Sequence, residues 1–349
     1  MYIVPTIDVE GVHGTSPFEQ MILGQVDDGE HGVFEIDAIL RAHQVKGTFF
    51  VDVFEKSFWG EDAFRDLCRT LSLNGQDVQL HTHPGWRDDP CDFPWLRVLK
   101  SDRSYLSSRK DMMAKLSLEE QVDVLREGAT MLESWTGSRP TIHRSGGYSI
   151  NDDTFKALAL AGFRMDSSVH FRHANSKSKP TDGQAIMKSG IFELPVTVMS
   201  YRSSIPFLSG RQKYLKTDLD TSWLSELIHY VEVGLKRNVR FMNLFMHSYS
   251  LINFDPTYRD LRYAPEKAEL LNRFLHYCRE HEQVEVLSCS QILDDPSHQD
   301  YLMGGANDPL DIVADRHLVH LGVQMLRNRI YERFLGNHIL RQYRQRPLE

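Results

Sequence analysis

Short apolar runs alternate with amphipathic stretches over roughly the first 290 of the 349 residues, and this rhythm admits few folds. The strand candidates are Tyr2–Glu10, Val45–Val51, Val78–His83, Thr141–Arg144, Phe163–Ser167, Ile191–Val196, Arg240–His247 and Val284–Leu287. Between them lie helix candidates at Val33–His43, Glu61–Leu73, Leu118–Thr136, Asp152–Ala161, Ser222–Lys236 and Pro265–His281. The helix at Leu118 opens on Ser117 with Glu120 in capping-box spacing and stops at Gly137. Gly162 stands where a helix C-cap glycine belongs. A strand that returns through a helix pairs parallel to its predecessor, so the expected class is α/β. The sheet is then a barrel or a doubly wound layer, and eight strands favour a barrel, followed by a C-terminal helical tail. In such folds chemistry gathers at the C-terminal ends of the strands.

That rule can be checked against the polar residues. The first strand reads T-I-D-V-E, so Thr6, Asp8 and Glu10 share one face. The third ends in H-T-H, which puts His81 and His83 on one side. Arg144 ends the fourth, ahead of "SGG"; Asp166 ends the fifth; His247 ends the seventh within "NLFMHSYS". Taken singly, each has a bland explanation. A carboxylate at a strand end can cap a helix or pair with an arginine, and a lone histidine can be a satisfied core residue. Five strands ending in ionisable groups are harder to dismiss, and two histidines beside a carboxylate form a recognised hydrolytic zinc set.

Two stretches interrupt the rhythm. Pro84–Lys115 is too long for a simple connection and is expected to form a rim, while the polar Phe171–Lys188 reads as a surface loop. Beyond residue 293, "DDPSHQDYLMGGANDP" reads as a turn-rich linker, and a helix is expected from about Leu310 to Gln345. The division is therefore a catalytic barrel at 1–293 and a linker with an amphipathic tail at 294–349. In the tail Val319, Val323, Leu326, Ile330 and Phe334 form one apolar stripe, and seven arginines between 316 and 346 face one acidic residue, Glu332. The stripe is expected to pack on the barrel or on a second copy of the chain as a homo-oligomer. Peripheral contact with an anionic membrane is the alternative.

Charge excludes some partners. With 40 basic and 48 acidic residues the chain carries −8, so bulk attraction to nucleic acid is not expected. Cys68, Cys91, Cys278 and Cys289 form no C-x-x-C pair, which argues against a disulfide framework or a zinc finger. The start "MYIVPTIDVEGV" lacks a basic leader segment, and no apolar run approaches the roughly 20 residues of a membrane span. A cytoplasmic location is the expectation, peripheral to the inner membrane if the tail binds lipid.

The ordered motifs "TIDVE", "GTFFV", "LHTHPGW", "HRSGGYS", "FRMDSSV", "FELPV" and "LFMHS" resemble the polysaccharide deacetylases of carbohydrate esterase family 4, the NodB-homology domain. The resemblance spans residues 1 to 293 or so and implies a distorted (β/α)7–8 barrel and a metal-dependent N-deacetylase acting on an N-acylated sugar, sugar nucleotide or glycan. The D-V-E form is similar to the branch serving lipopolysaccharide and O-antigen biosynthesis. By motif, the resemblance implies Asp8 as catalytic base and Glu10, His81 and His83 as ligands of a divalent ion, zinc first. Val9 occupies the family's usual ligand position, with Glu10 substituting, and Gly85 occupies that of the second histidine, with His83 substituting. Arg144 would orient the base and His247 would act as general acid. Asp166 would tether Arg144 or His247, and Leu244 would wall the acyl pocket. Trp86 is expected to touch substrate. Two rivals stand beside this reading. One is another amidohydrolase-type metal enzyme, which usually carries H-x-H on its first strand; the other is a non-catalytic carbohydrate-binding barrel, which would be expected to lose its acid or base.

Overall fold

Strand β1 (Tyr2–Val9) is the hub of the sheet and is buried along nearly its whole length. The computed structural model describes residues 1–11, 18–87, 112–178, 183–201, 213–254, 261–305 and 311–312. On one side β1 pairs in parallel with β9 (Phe241–His247), placing Asp8 opposite His247. On the other it pairs in parallel with β2 (Thr48–Asp52) and, at its start, with β10 (Glu285–Val286). The sheet continues through β3 (Asp77–Thr82), β4 (Ile142–Ser145), β5 (Met165–Asp166) and β6 (Ile191–Glu193), all parallel. Ile186–Lys188 adds an antiparallel edge strand.

The order β9-β1-β2-β3-β4-β5-β6 is linear, so the expected barrel is a curled sheet with a seam. Beyond β6 the chain runs on as β7 (Val198–Tyr201), which pairs antiparallel with β8 (Lys213–Lys216). The segment after β8 bridges the seam. Thr217 N–H donates to Thr197 O at 3.0 Å, Phe245 N–H to Thr217 O at 2.8 Å, and Leu219 N–H to Phe245 O at 3.1 Å. Three backbone hydrogen bonds thus stand in for a full ladder, which is the physical form of the distortion.

Strand alternation divides the core in two. Val4, Phe50, Ile142, Met165 and Phe192 point inward and fill the bottom of the barrel with Leu287 and Ile292. Ile3, Ile7, Phe49, Val51, Leu80, Met242 and Leu244 point outward to the helices. These are α1 (Val33–Ala42), α2 (Glu61–Leu73), α3 (Leu118–Thr136), α4 (Asp152–Ala161), α5 (Leu224–Lys236) and α6 (Pro265–Glu280). Each fully buried side chain of this kind contributes roughly 1.5–3 kcal/mol, so the face between sheet and helices dominates stability.

The helix ends follow their sequence signals. Ser117 and Glu120 exchange capping bonds at the start of α3, and Gly137 ends it with φ of 78°. Asn151 caps α4, and Gly162 closes it at φ 88°. Within the stretch expected to be a turn-rich linker, Pro296–Met303 is instead helical. Ser288 caps α7 (Cys289–Asp294), and Asp295 caps α8 (Pro296–Met303), whose first residue is a proline that needs no donor there. Leu302 is buried, Tyr301 packs 4.8 Å from the Tyr2 ring, and Arg240 lies over Tyr301, so α8 plugs the N-terminal end of the barrel. Asp311 and Ile312 pair with β7 rather than opening a helix. The apolar stripe and arginines of the tail, and most of the Pro84–Lys115 rim, lie outside the described residues.

Candidate active site

Parallel pairing brings the C-terminal ends of β1, β2, β3, β4 and β9 to one mouth, where six of the nine expected site residues meet. Glu10 lies just past β1, and its Oε2 stands 3.0 Å from His81 Nε2 and 2.8 Å from His83 Nε2. His81 is 1 % exposed and His83 7 %, so these donors converge inside the mouth. Burial by itself would raise the Glu10 carboxyl, but the charge of His83 and hydrogen bonds from both imidazoles hold it well below the usual range. His83 fits because Gly146 yields space: a Cβ there would sit 2.2 Å from His83 Nε2. That close approach explains the glycine after Ser145.

Asp8 and Arg144 form the second part. Arg144 is fully buried and donates from Nη1 to Asp8 Oδ1 at 2.8 Å. Its Nη2 donates to Ser167 Oγ at 2.9 Å and its Nε to Ser167 O at 3.0 Å, so the guanidinium is clamped at three points. Phe50 and Phe245 flank it, at 4.3 Å and 4.8 Å from ring centroid to Cζ. A carboxylate bonded to a guanidinium that cannot turn is itself fixed in direction.

His247 completes the mouth. Its Nε2 faces Glu10 Oε1 at 3.7 Å, and its Nδ1 faces Asp220 Oδ2 at 3.6 Å. The Tyr249 ring stacks on the imidazole at 4.8 Å and 12°, and the His247 backbone N–H donates to Ser250 Oγ. Opposing its burial, His247 and Lys267 hold the Asp220 carboxyl below the ordinary carboxylate range.

Among the described residues, two groups have the donors for a metal. One is Glu10, His81 and His83, whose ligand atoms lie within 4.8 Å of one another; the other is Asp218, Asp220 and His247. In the second group Lys216 Nζ already pairs with Asp218 at 2.8 Å and Lys267 Nζ with Asp220 at 3.5 Å. Its charges are balanced by side chains, and no cation is called for. In the first group, among the described residues, the Glu10 carboxylate pairs only with imidazoles, the neutral form of which is a zinc ligand. The donor set of one carboxylate and two imidazoles therefore fits a divalent ion.

Residues 16–165 match the model of a family described as Polysaccharide deacetylase. Among solved structures, the chain is similar to a protein from Mycobacterium smegmatis assigned as a polysaccharide deacetylase, with TM-score 0.53 and 18% identity over 90% of this chain and 94% of that one. It is also similar to a 4-alpha-glucanotransferase from Thermococcus litoralis, with TM-score 0.52 and 12% identity over 84% of this chain but 40% of the other. At such identities these likenesses speak for the fold. A search of curated proteins found no match.

The matched stretch holds His81, His83 and Arg144, while Asp8, Glu10 and His247 join from outside it. Three expected site residues fall elsewhere. Asp166 contacts neither Arg144 nor His247 among the described residues. Its Oδ1 bonds His143 Nδ1 at 2.8 Å and Ser168 Oγ at 2.8 Å, and its Oδ2 accepts from Ser168 N–H. The expected tether is supplied by the next residue, Ser167, because neighbours on a strand point to opposite faces. Leu244 alternates outward into the helix-covered core for the same reason, and Phe245 takes the wall position. Trp86 lies in a turn at Pro84–Trp86, is 4 % exposed and packs in the core, so it offers substrate no face.

The sequence reading missed Asp220, Asp52 and Glu55. Asp52 ends β2 opposite His81 and is fully buried; burial raises its carboxyl to about 7 against the pull of His83 and His81. Glu55 accepts both its bonds from Gly11 N–H, at 2.8 and 3.0 Å, and burial with Asp52 and Glu10 nearby raises it well above the usual range. Asp52 was legible as the next polar residue after a strand of apolar residues. Asp220 carried no signal, since only the seam-bridging segment brings it to His247.

Proposed function

We propose that the protein is a metal-dependent carbohydrate N-deacylase that removes an acetyl group from an N-acylated sugar. One observation carries this reading: the Glu10/His81/His83 set opens onto the same mouth as an arginine-held carboxylate and an aspartate-backed imidazole. A divalent ion such as zinc, held by Glu10, His81 and His83, would supply Lewis acidity toward the amide carbonyl and toward water.

The remaining work falls to side chains. Asp8 takes the proton of the attacking water, and Arg144, itself clamped, keeps the carboxylate aimed. His247 returns a proton to the departing amine. Asp220, placed at Nδ1, orients the ring so that Nε2 faces the reacting side. Phe245 walls the space between His247 and Arg144 where the acyl methyl fits. The proposed setting is assembly of a bacterial surface polysaccharide, lipopolysaccharide O-antigen included, which the D-x-E first motif supports. No described helix is long and apolar enough to cross a membrane.

Amine and acetate release from N-acetylated sugars by the purified zinc-loaded protein tests this. Equimolar amine and acetate are expected. A protein that binds such sugars and one metal ion without releasing acetate is the carbohydrate-binding barrel instead.

A further inference from the structure

Lys216 stands at the reaction centre and has no part in the proposed chemistry. Its Nζ lies 3.6 Å from the Phe245 ring centroid, and the same ring borders Arg144 and His247. Asp218 pairs with it at 2.8 Å, and the Tyr148 hydroxyl bonds it from a turn whose backbone is held at positive φ of 58°. Two residues back on β8, Tyr214 shares the face of Lys216. Arg172 Nη2 donates to the Tyr214 hydroxyl at 2.8 Å, and the guanidinium lies 4.1 Å over the Tyr214 ring. Arg172 is exposed, and its five N–H donors exceed what one hydroxyl can take. From His247 outward, the wall thus runs Phe245, Lys216, Tyr214, Arg172.

The segment that supplies Arg172, Tyr214 and Lys216 is itself cationic in sequence. Between His170 and Thr217 stand eight Lys or Arg and two Asp or Glu, one of them the fully buried Glu193, in a chain of net charge −8. A neutral glycan is held by ring stacking and hydroxyl hydrogen bonds and needs no such cations. A phosphate ester does, and a guanidinium fixed on an aromatic face is suited to it.

We propose that Arg172, Tyr214 and Lys216 form a subsite for a phosphate or diphosphate attached to the sugar, so that the substrate is a phosphate-linked N-acyl sugar rather than a neutral polymer. This rests on the deacylase reading and names its substrate class. The ester has two sources, a nucleotide or a polyprenyl lipid.

Binding can be read without turnover in zinc-loaded Asp8→Asn by calorimetry. The probes are N-acetylglucosamine, N-acetylglucosamine 1-phosphate, UDP-N-acetylglucosamine and polyprenyl-diphosphate N-acetylglucosamine in detergent. Phosphorylated probes should bind at least roughly tenfold more tightly than the free sugar, the worth of one charge-assisted bond. Adding Arg172→Gln, at an exposed position that leaves the fold intact, should remove most of that difference. Tighter binding of the lipid or of the nucleotide probe identifies the source, and either supports the subsite. Equal affinity for free and phosphorylated sugar, or a preference that survives Arg172→Gln and Tyr214→Phe, overturns it. In the first outcome acetate release from neutral sugars could still stand; if acetate release fails while phosphate discrimination holds, the deacylase reading falls alone.

Discussion

Two carboxylate–histidine sets sit on adjoining strands of one sheet, and they differ in the face they occupy. Glu10, His81 and His83 point into the barrel mouth, with Glu10 15 % exposed. Asp166, His143 and Glu193 point outward under the helices and are each fully buried. In the outer set His143 Nδ1 meets Asp166 at 2.8 Å, His143 Nε2 meets Thr82 Oγ1 at 3.0 Å, and Glu193 Oε1 accepts from Val169 N–H at 2.9 Å. Burial lowers the His143 imidazole despite Asp166, and burial with the Asp166 charge raises the Glu193 carboxyl well above the ordinary range. The outer set is closed off under the helices; the inner set leaves donors facing a mouth. Ionisable residues at strand ends acquire chemistry by face, not by type.

The largest effect should come from the base. Asp8→Asn keeps the shape and removes the proton acceptor, so turnover should fall by roughly 10²–10⁴-fold with metal content unchanged. Kinetics beside metal analysis check this, and activity within a few-fold of the parent removes Asp8 from the mechanism. His247→Gln should cost roughly 10²-fold at least, with little change in melting temperature. Asp220→Asn should cost less, as expected of a residue that acts through His247, and should distort the pH–rate profile.

On the outer face the pattern should reverse. His143→Ala strands a buried carboxylate pair, which costs roughly 3–5 kcal/mol in urea unfolding, while activity per folded molecule persists. Loss of activity at unchanged stability would put His143 in the site. Glu193→Gln gives the smallest effect and a signed one. The native acid holds its proton above the unfolded pKa, so the parent loses stability as pH rises from about 4.5 toward its raised native value. Glutamine does not titrate and still donates to Asp166. The variant should therefore gain on the parent with rising pH, by at most about 1.4 kcal/mol per unit. A pH-independent difference would mean that Glu193 is ionised in the native state.

The parity of a strand explains what could be read beforehand. D-x-E and H-x-H each place two donors on one face whatever the register, so Asp8 with Glu10 and His81 with His83 were legible from spacing. Leu244 and Phe245 were separable by the same parity, since His247 shares a face with Phe245 and not with Leu244. Asp166 was not, because its face depends on its pairing with His143 across β4 and β5. Asp220 and Lys216 reach the mouth only because Thr217 bridges a seam that no local pattern announces. Alternation made the α/β fold legible, but a helix of α8's length begun by Asp-Pro passes for a turn when read without its packing on Tyr2.

Metal content separates the two faces most directly. Parent, His81→Ala and His143→Ala proteins would be loaded with zinc, dialysed and measured for bound ion per folded chain. One ion in the parent, one in His143→Ala and none in His81→Ala is the expected result. Equal zinc in His81→Ala and the parent, or loss of zinc with His143 instead, would contradict the assignment of the metal centre to Glu10, His81 and His83.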